Sequence, residues 1–108
     1  MRYMLLICAD ESVEVSPEEG SVEPWLAEMQ RRGVRRDGSR LRPVSDATTV
    51  RLRGGEVVLS DGPFAETKEQ IAGYDVIECQ DLDEAIEVAS KHPVARFGTI
   101  EVRPFWEE

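Results

Sequence analysis

Residues Tyr3-Met4-Leu5-Leu6-Ile7-Cys8-Ala9 form an unbroken apolar run of strand length. A strand with one wet face alternates apolar and polar residues. A strand apolar at every position is written for burial on both faces and belongs in the middle of a sheet. A chain that contains such a strand needs a cover for each face, and the rest of the sequence can be read by asking where the two covers come from.

Two amphipathic helices supply one of them. Ser16-Pro17-Glu18-Glu19 reads as a helix start, with a cap, a proline at the first helical position and a capping-box glutamate. Pro24 would delete a hydrogen bond inside one continuous helix, so the pattern predicts a short turn and then a main helix from about Val22. Val22, Trp25, Leu26 and Met29 share one stripe of that helix, and Gly33 is placed to end it. For the second helix, Asp81 is the N-cap and Glu84 its capping-box partner, with Leu82, Ala85, Ile86 and Ala89 as the apolar stripe. Lys91 and a cationic His92 suit its negative end, and Pro93 stops it.

Between the helices, Arg35 to Asp46 reads as a basic loop or short strand around Leu41 and Val44. Thr48, Val50 and Leu52 alternate with Thr49, Arg51 and Arg53, and Gly54-Gly55 turns that strand back into Val57–Ser60. Tyr74–Cys79 and Phe97–Arg103 are further strands. The order is β-α-β-β-β-α-β, which predicts an α+β, ferredoxin-like sandwich with an antiparallel sheet. Two helices cover only one sheet face, so a second copy of the chain is expected on the other, giving a homodimer.

The 108 residues suit a single domain over 1–108, and 41 % hydrophobic with 32 % charged residues is a globular mix. A net charge of −9 argues against nucleic acid or anionic membrane as a partner. The charge is uneven. Six of the 13 basic residues fall between Arg31 and Arg42, which leaves 7 basic against 21 acidic residues elsewhere. That cluster reads as a solvated helix end and loop or as an anion or partner contact. No signal peptide or membrane span is evident, so a cytoplasmic location is expected, with Cys8 and Cys79 as reduced, buried thiols. One histidine and two separated cysteines make a metal site improbable, and neither a P-loop nor a dinucleotide fingerprint is present, so no cofactor is expected.

One run stands apart: Asp61-Gly62-Pro63-Phe64-Ala65-Glu66-Thr67-Lys68-Glu69-Gln70. Together with Ala47–Arg51, Gly73-Tyr74, His92-Pro93, Ala95-Arg96 and Ile100–Pro104, it resembles the DGPF branch of the YCII-related family, over nearly the whole chain. The resemblance implies a ferredoxin-like dimeric α+β barrel with a pocket near the sheet surface. It implies acid–base or elimination chemistry in some relatives, one of which is a dehydrochlorinase of a chlorinated hydroxyquinol. It also implies association of this branch with extracytoplasmic-function sigma factors. Cys8-Ala9-Asp10 stands where the enzymatic relatives carry a histidine.

Read from its residues, the run has two meanings. Asp61 and Gly62 suit a turn and Pro63 fixes the next step, so the run can be a salt-bridged loop that locks strand register or a dimer seam. Alternatively it walls a pocket in which Asp61 or Glu66 is a base, Lys68 holds an anionic group, and Phe64 and the Tyr74 hydroxyl reach the substrate. His92 is the only histidine available for acid–base catalysis, and Arg96 could pair with an acid of this loop. Trp25 and Trp106 read as apolar anchors. A small-molecule-binding domain, enzymatic or not, and a regulatory interaction domain are the two readings that follow.

Overall fold

The computed structural model describes residues 1–107. Strand β1 (Arg2–Ala9) leads to a helical turn α1 (Pro17–Gly20) and helix α2 (Glu23–Arg31). Strand β2 (Arg35–Arg40), hairpin strands β3 (Thr48–Arg53) and β4 (Glu56–Asp61), and strand β5 (Gln70–Glu78) follow. Helix α3 (Leu82–Ser90) and strand β6 (Thr99–Pro104) close the chain. The main sheet has the order β2-β5-β1-β6 and is antiparallel throughout, an arrangement compatible with a ferredoxin-like fold. Strand β1 is central, as its apolar run requires.

Local chemistry sets the helix ends as expected. The Ser16 side chain accepts from Glu19 N–H at 3.3 Å, Pro24 sits in the first turn of α2, and Gly33 ends it with a φ of 69°. Asp81 accepts from Glu84 N–H at 2.9 Å, and Glu84 accepts from Gln80 N–H at 2.8 Å. Tyr3, Leu5 and Ile7 point at the helices and meet Trp25, Met29 and Val88, the last two fully buried. Trp25 Nε1 donates to the Val88 carbonyl at 2.9 Å, which fixes the two helices to each other.

Three expectations about packing are corrected. The buried face of α3 is Ala85, Val88 and Ala89, while Leu82 and Ile86 are both 51 % exposed, because the helix leans on the sheet with its small residues. Trp106 is 93 % exposed and anchors nothing within its own chain. As expected, the helices cover only one face of strand β1, and the third correction lies on its other face. Its alternate residues Met4, Leu6 and Cys8 stay half-buried beside Tyr74 and Val76 on β5, so Cys8, unlike Cys79, is not a buried thiol.

Two further corrections concern the strands. The short-strand reading of the basic segment holds but its position does not: β2 spans Arg35–Arg40 and is an edge strand of the main sheet, while Leu41 lies beyond it and Val44 begins a 3₁₀ turn. The β3–β4 hairpin is not in that sheet at all. It forms a separate two-stranded arm, so the Asp61–Gln70 loop joins two sheets rather than two strands of one.

The arginine cluster divides between these elements. Arg32 donates to Glu87 at 2.7 Å and to Glu28 at 3.1 Å, joining α2 to α3. Arg35 pairs at 2.7 Å with Asp75, a carboxylate only 6 % exposed on the helix-facing side of β5. Burial pushes the Asp75 carboxyl up from its ordinary range, and Arg35 pulls it part of the way back. Gly38 lies opposite Asp75, and a β-carbon there would collide with the Asp75 carboxylate, the Arg35 guanidinium at 2.5 Å and the Tyr74 carbonyl at 2.8 Å. Gly38→Ala is therefore predicted to destabilise the protein by about 2 kcal/mol or more, the cost of overpacking next to backbone. Urea unfolding measures it, and an unchanged midpoint would show that β2 shifts freely.

Candidate functional site

The Asp61–Gln70 loop starts where the arm ends. Asp61 pairs with Thr48 in the last rung of the hairpin. Gly62 then adopts a φ of 95°, a conformation open to glycine and costly for a side-chain-bearing residue. Its N–H donates to the Ala47 carbonyl at 2.7 Å, and its own carbonyl accepts from Thr49 Oγ1 at 2.8 Å. These bonds clamp the root of the arm. On the far side, Gln70 Nε2 donates to the carbonyls of Ala65 at 3.0 Å and Thr67 at 3.2 Å, holding the loop in a curl. Glu69 accepts from Thr99 Oγ1 at 2.7 Å, tying the loop to β6.

The run thus contains two kinds of residue. Gly62, Glu69 and Gln70 hold the loop, while Asp61, Glu66 and Lys68 are exposed and Phe64 is 79 % exposed. Among the described residues no ion pair joins Asp61, Glu66 or Lys68 to another side chain, so the expected salt-bridged cluster does not form within the chain. Lys68 is near enough to Asp10 to help hold its carboxylate low, after the larger effect of the Ser12 hydrogen bonds.

The loop borders the uncovered side of the main sheet. Cys8 lies at that border, and burial, followed by the nearby carboxylates of Glu101 and Glu69, raises its thiol above the ordinary range. Tyr74 stands on the same open face, in the middle of β5 rather than at its start, and is half-buried. Through Glu69 the loop therefore borders one end of an apolar sheet surface, and Tyr74 stands farther along that surface.

His92 and Arg96 belong to another place. His92 packs edge-on against Trp25 with ring centroids 4.8 Å apart and is 5 % exposed. Its Nδ1 accepts from Val94 N–H at 3.1 Å and caps the 3₁₀ turn Pro93–Arg96. Nδ1 must be unprotonated to do this. Burial lowers the imidazole to about 4, so the cation expected at the helix end is a neutral capping group instead. Arg96 donates to the Glu19 carbonyl at 3.2 Å and makes no pair with the Asp61–Gln70 loop. Both residues line a shallow hollow of about 290 Å³ with Pro24, Glu28 and Lys91. The sequence-based site therefore separates into Asp61, Phe64, Glu66 and Lys68 along the loop, Tyr74 within the sheet face, and His92 with Arg96 at another hollow.

The pattern of the whole chain is matched by the YCII-related domain model over residues 1–108. The chain belongs to the YCII-related domain family. It is 40 % identical over 113 residues to "Uncharacterized protein R00369" of Rhizobium meliloti (strain 1021), an alignment covering 96 % of this chain and 91 % of the relative. In this YCII-related chain the buried Asp75–Arg35 pair had no warning in composition. The available signal was alternation along β5, which puts Asp75 between Gly73 and Ile77 on the inward side.

The neutral state of His92 has a pH consequence. Its folded pKa lies below the ordinary 6.5, so the unfolded chain takes up the proton first as pH falls. The neutral His92 contribution is complete above about 6.5 and is lost as pH falls toward 4, up to about 3 kcal/mol in all. His92→Gln is predicted to be less stable at pH 7 but to have a flatter stability curve across that window. Urea midpoints at pH 7, 6, 5 and 4.5 test this, and parallel curves for the two proteins would refute it.

Proposed function

We propose that this YCII-related chain is a cytoplasmic, homodimeric small-molecule-binding domain of the DGPF branch, with its ligand held over the open sheet face beside the Asp61–Gln70 loop. The supporting observation is the half-buried apolar surface of Met4, Leu6, Cys8 and Val76, bordered by a loop whose Phe64 and Lys68 reach outward. An apolar floor with a few polar groups at one edge is the common make-up of a small-molecule site. In a dimer a surface of the second chain would roof that floor.

The chemistry that fits is metal-independent acid–base or elimination chemistry. Asp61 or Glu66 takes a proton from carbon, the electron pair forms a double bond, and the leaving group departs as an anion. Lys68 holds an anionic substituent and the Tyr74 hydroxyl orients the ring. His92 is left out, because its Nδ1 is spent on Val94 N–H and its ring on Trp25.

A second reading draws on the same loop. Phe64, Glu66 and Lys68 stand on an open surface, which suits a protein contact as well as a pocket wall. On that reading the domain is a non-catalytic regulator of an extracytoplasmic-function sigma factor. A thermal-shift screen against aromatic acids, quinols and phosphorylated metabolites separates the two. We expect one class to raise the wild-type melting temperature by several degrees, Lys68→Ala to weaken that ligand roughly tenfold, and Asp61→Asn to bind it without turnover. No stabilising ligand in any class would favour the regulatory reading. Early melting of both variants without ligand would show the loop to be structural.

A further inference from the structure

The β3–β4 arm is the part of the molecule that its own chain does not explain. Val50 lies opposite Leu59 and Leu52 opposite Val57, so these four side chains occupy one face of the arm. They are 63, 64, 64 and 66 % exposed. A two-stranded hairpin with an uncovered apolar face is marginal in water. Yet the arm is regular and clamped at its root by the bonds of Gly62 and Thr49, so it is built to stand out from the body.

Its direction is equally informative. The radius of gyration is 15.8 Å, against about 13 Å for a compact chain of this length. The molecule measures 48 × 42 × 18 Å. A thickness of 18 Å accommodates the sheet and one helix layer at the usual spacing of about 10 Å, with no third layer. The arm therefore runs outward from the slab and does not fold over its own open sheet. Each chain carries two uncovered apolar surfaces, the arm and the sheet face, and its connectivity keeps them apart.

The make-up of the two surfaces points to the occupant. The arm is neutral, with Arg51 and Arg53 against Glu56 and Asp61, and both arginines lie on the face opposite Val50 and Leu52. On the open sheet face the apolar residues Met4, Leu6, Cys8 and Val76 are flanked by charges of both signs, Arg2 beside Glu78 and Arg103 paired with Glu101. Each surface is thus apolar and free of net charge, and neither can reach the other within one chain. A second copy offers each of them an apolar partner, and a two-fold axis satisfies both contacts at once.

We propose that the arm crosses to a second copy of the chain and lays Val50, Leu52, Val57 and Leu59 against that copy's uncovered sheet, so that each ligand site is completed by the partner's arm. This rests on the dimeric binding reading above and adds to it a named contributor from the other chain.

The test is the mass in solution, by light scattering, of the wild type, of Val50→Lys/Leu59→Lys, and of Ile86→Lys as a control on the outer face of α3. The wild type and the control are expected to be dimers. The arm variant should have a dimer dissociation constant raised roughly 100-fold or more, with the near-ultraviolet circular dichroism of buried Trp25 unchanged. A monomeric wild type overturns both the dimer and the arm exchange. A dimeric arm variant with unchanged affinity overturns the arm exchange alone and leaves the dimer standing. Should the variant lose its fold, a photoreactive benzoylphenylalanine at position 59, in a mixture of isotope-heavy and isotope-light protein, decides the matter. Heavy–light links to Tyr3–Ala9 or Gln70–Glu78 support the exchange, and links confined within one chain refute it.

Discussion

Strand β1 sets the terms for everything else. It is apolar at each position from Tyr3 to Ala9, and no arrangement of one sheet and two short helices can bury both of its faces. The helices take the face of Tyr3, Leu5 and Ile7, with Trp25 and Met29 from α2 and Ala85 and Val88 from α3 closing the core. That half is complete: Trp25 is hydrogen-bonded to the Val88 carbonyl, and His92 is packed against Trp25 and caps the next turn. The other half, Met4, Leu6 and Cys8, is left for something outside the helix layer.

The candidate site grows out of that incompleteness. The Asp61–Gln70 loop is placed at the edge of the open face by two sets of bonds: Gly62 and Thr49 fix it to the arm, and Glu69 fixes it to Thr99 of β6. A motif with Asp61, Glu66 and Lys68 close in sequence invites a salt-bridged cluster, but each of these side chains points into solvent instead. A loop that is rigid in its backbone and free in its charged side chains is suited to recognition, of a small molecule or of a protein. The buried carboxylate is elsewhere, at Asp75, which the half-buried Arg35 holds beneath Gly38 so that the pair joins β2 to β5.

Much of this was legible in residue order. Ser16, Pro24, Gly33 and Asp81 mark helix ends because caps and breakers act within one turn, and Gly54-Gly55 marks a hairpin because both residues take positive φ there. The misreadings share one cause. Whether Arg35–Arg40 is a strand, whether Leu82 or Val88 faces inward, and whether His92 carries a proton all depend on neighbours distant in sequence. β2 is held by its ladder with β5, α3 by the lean that its small residues allow, and His92 by burial against Trp25.

By itself, then, the sequence determined the local elements, the central position of β1, the family and the run most worth examining, because those follow from short-range backbone preferences and from the alternation of side chains along a strand. Only the tertiary structure decided that the hairpin leaves the sheet as an arm, that the charged residues of the Asp61–Gln70 loop stand unpaired at the edge of an open apolar face, and that the one histidine is a neutral packing group. Those outcomes turn on which surfaces meet across the chain, and surface matching between distant segments is not written in the spacing of residues along it.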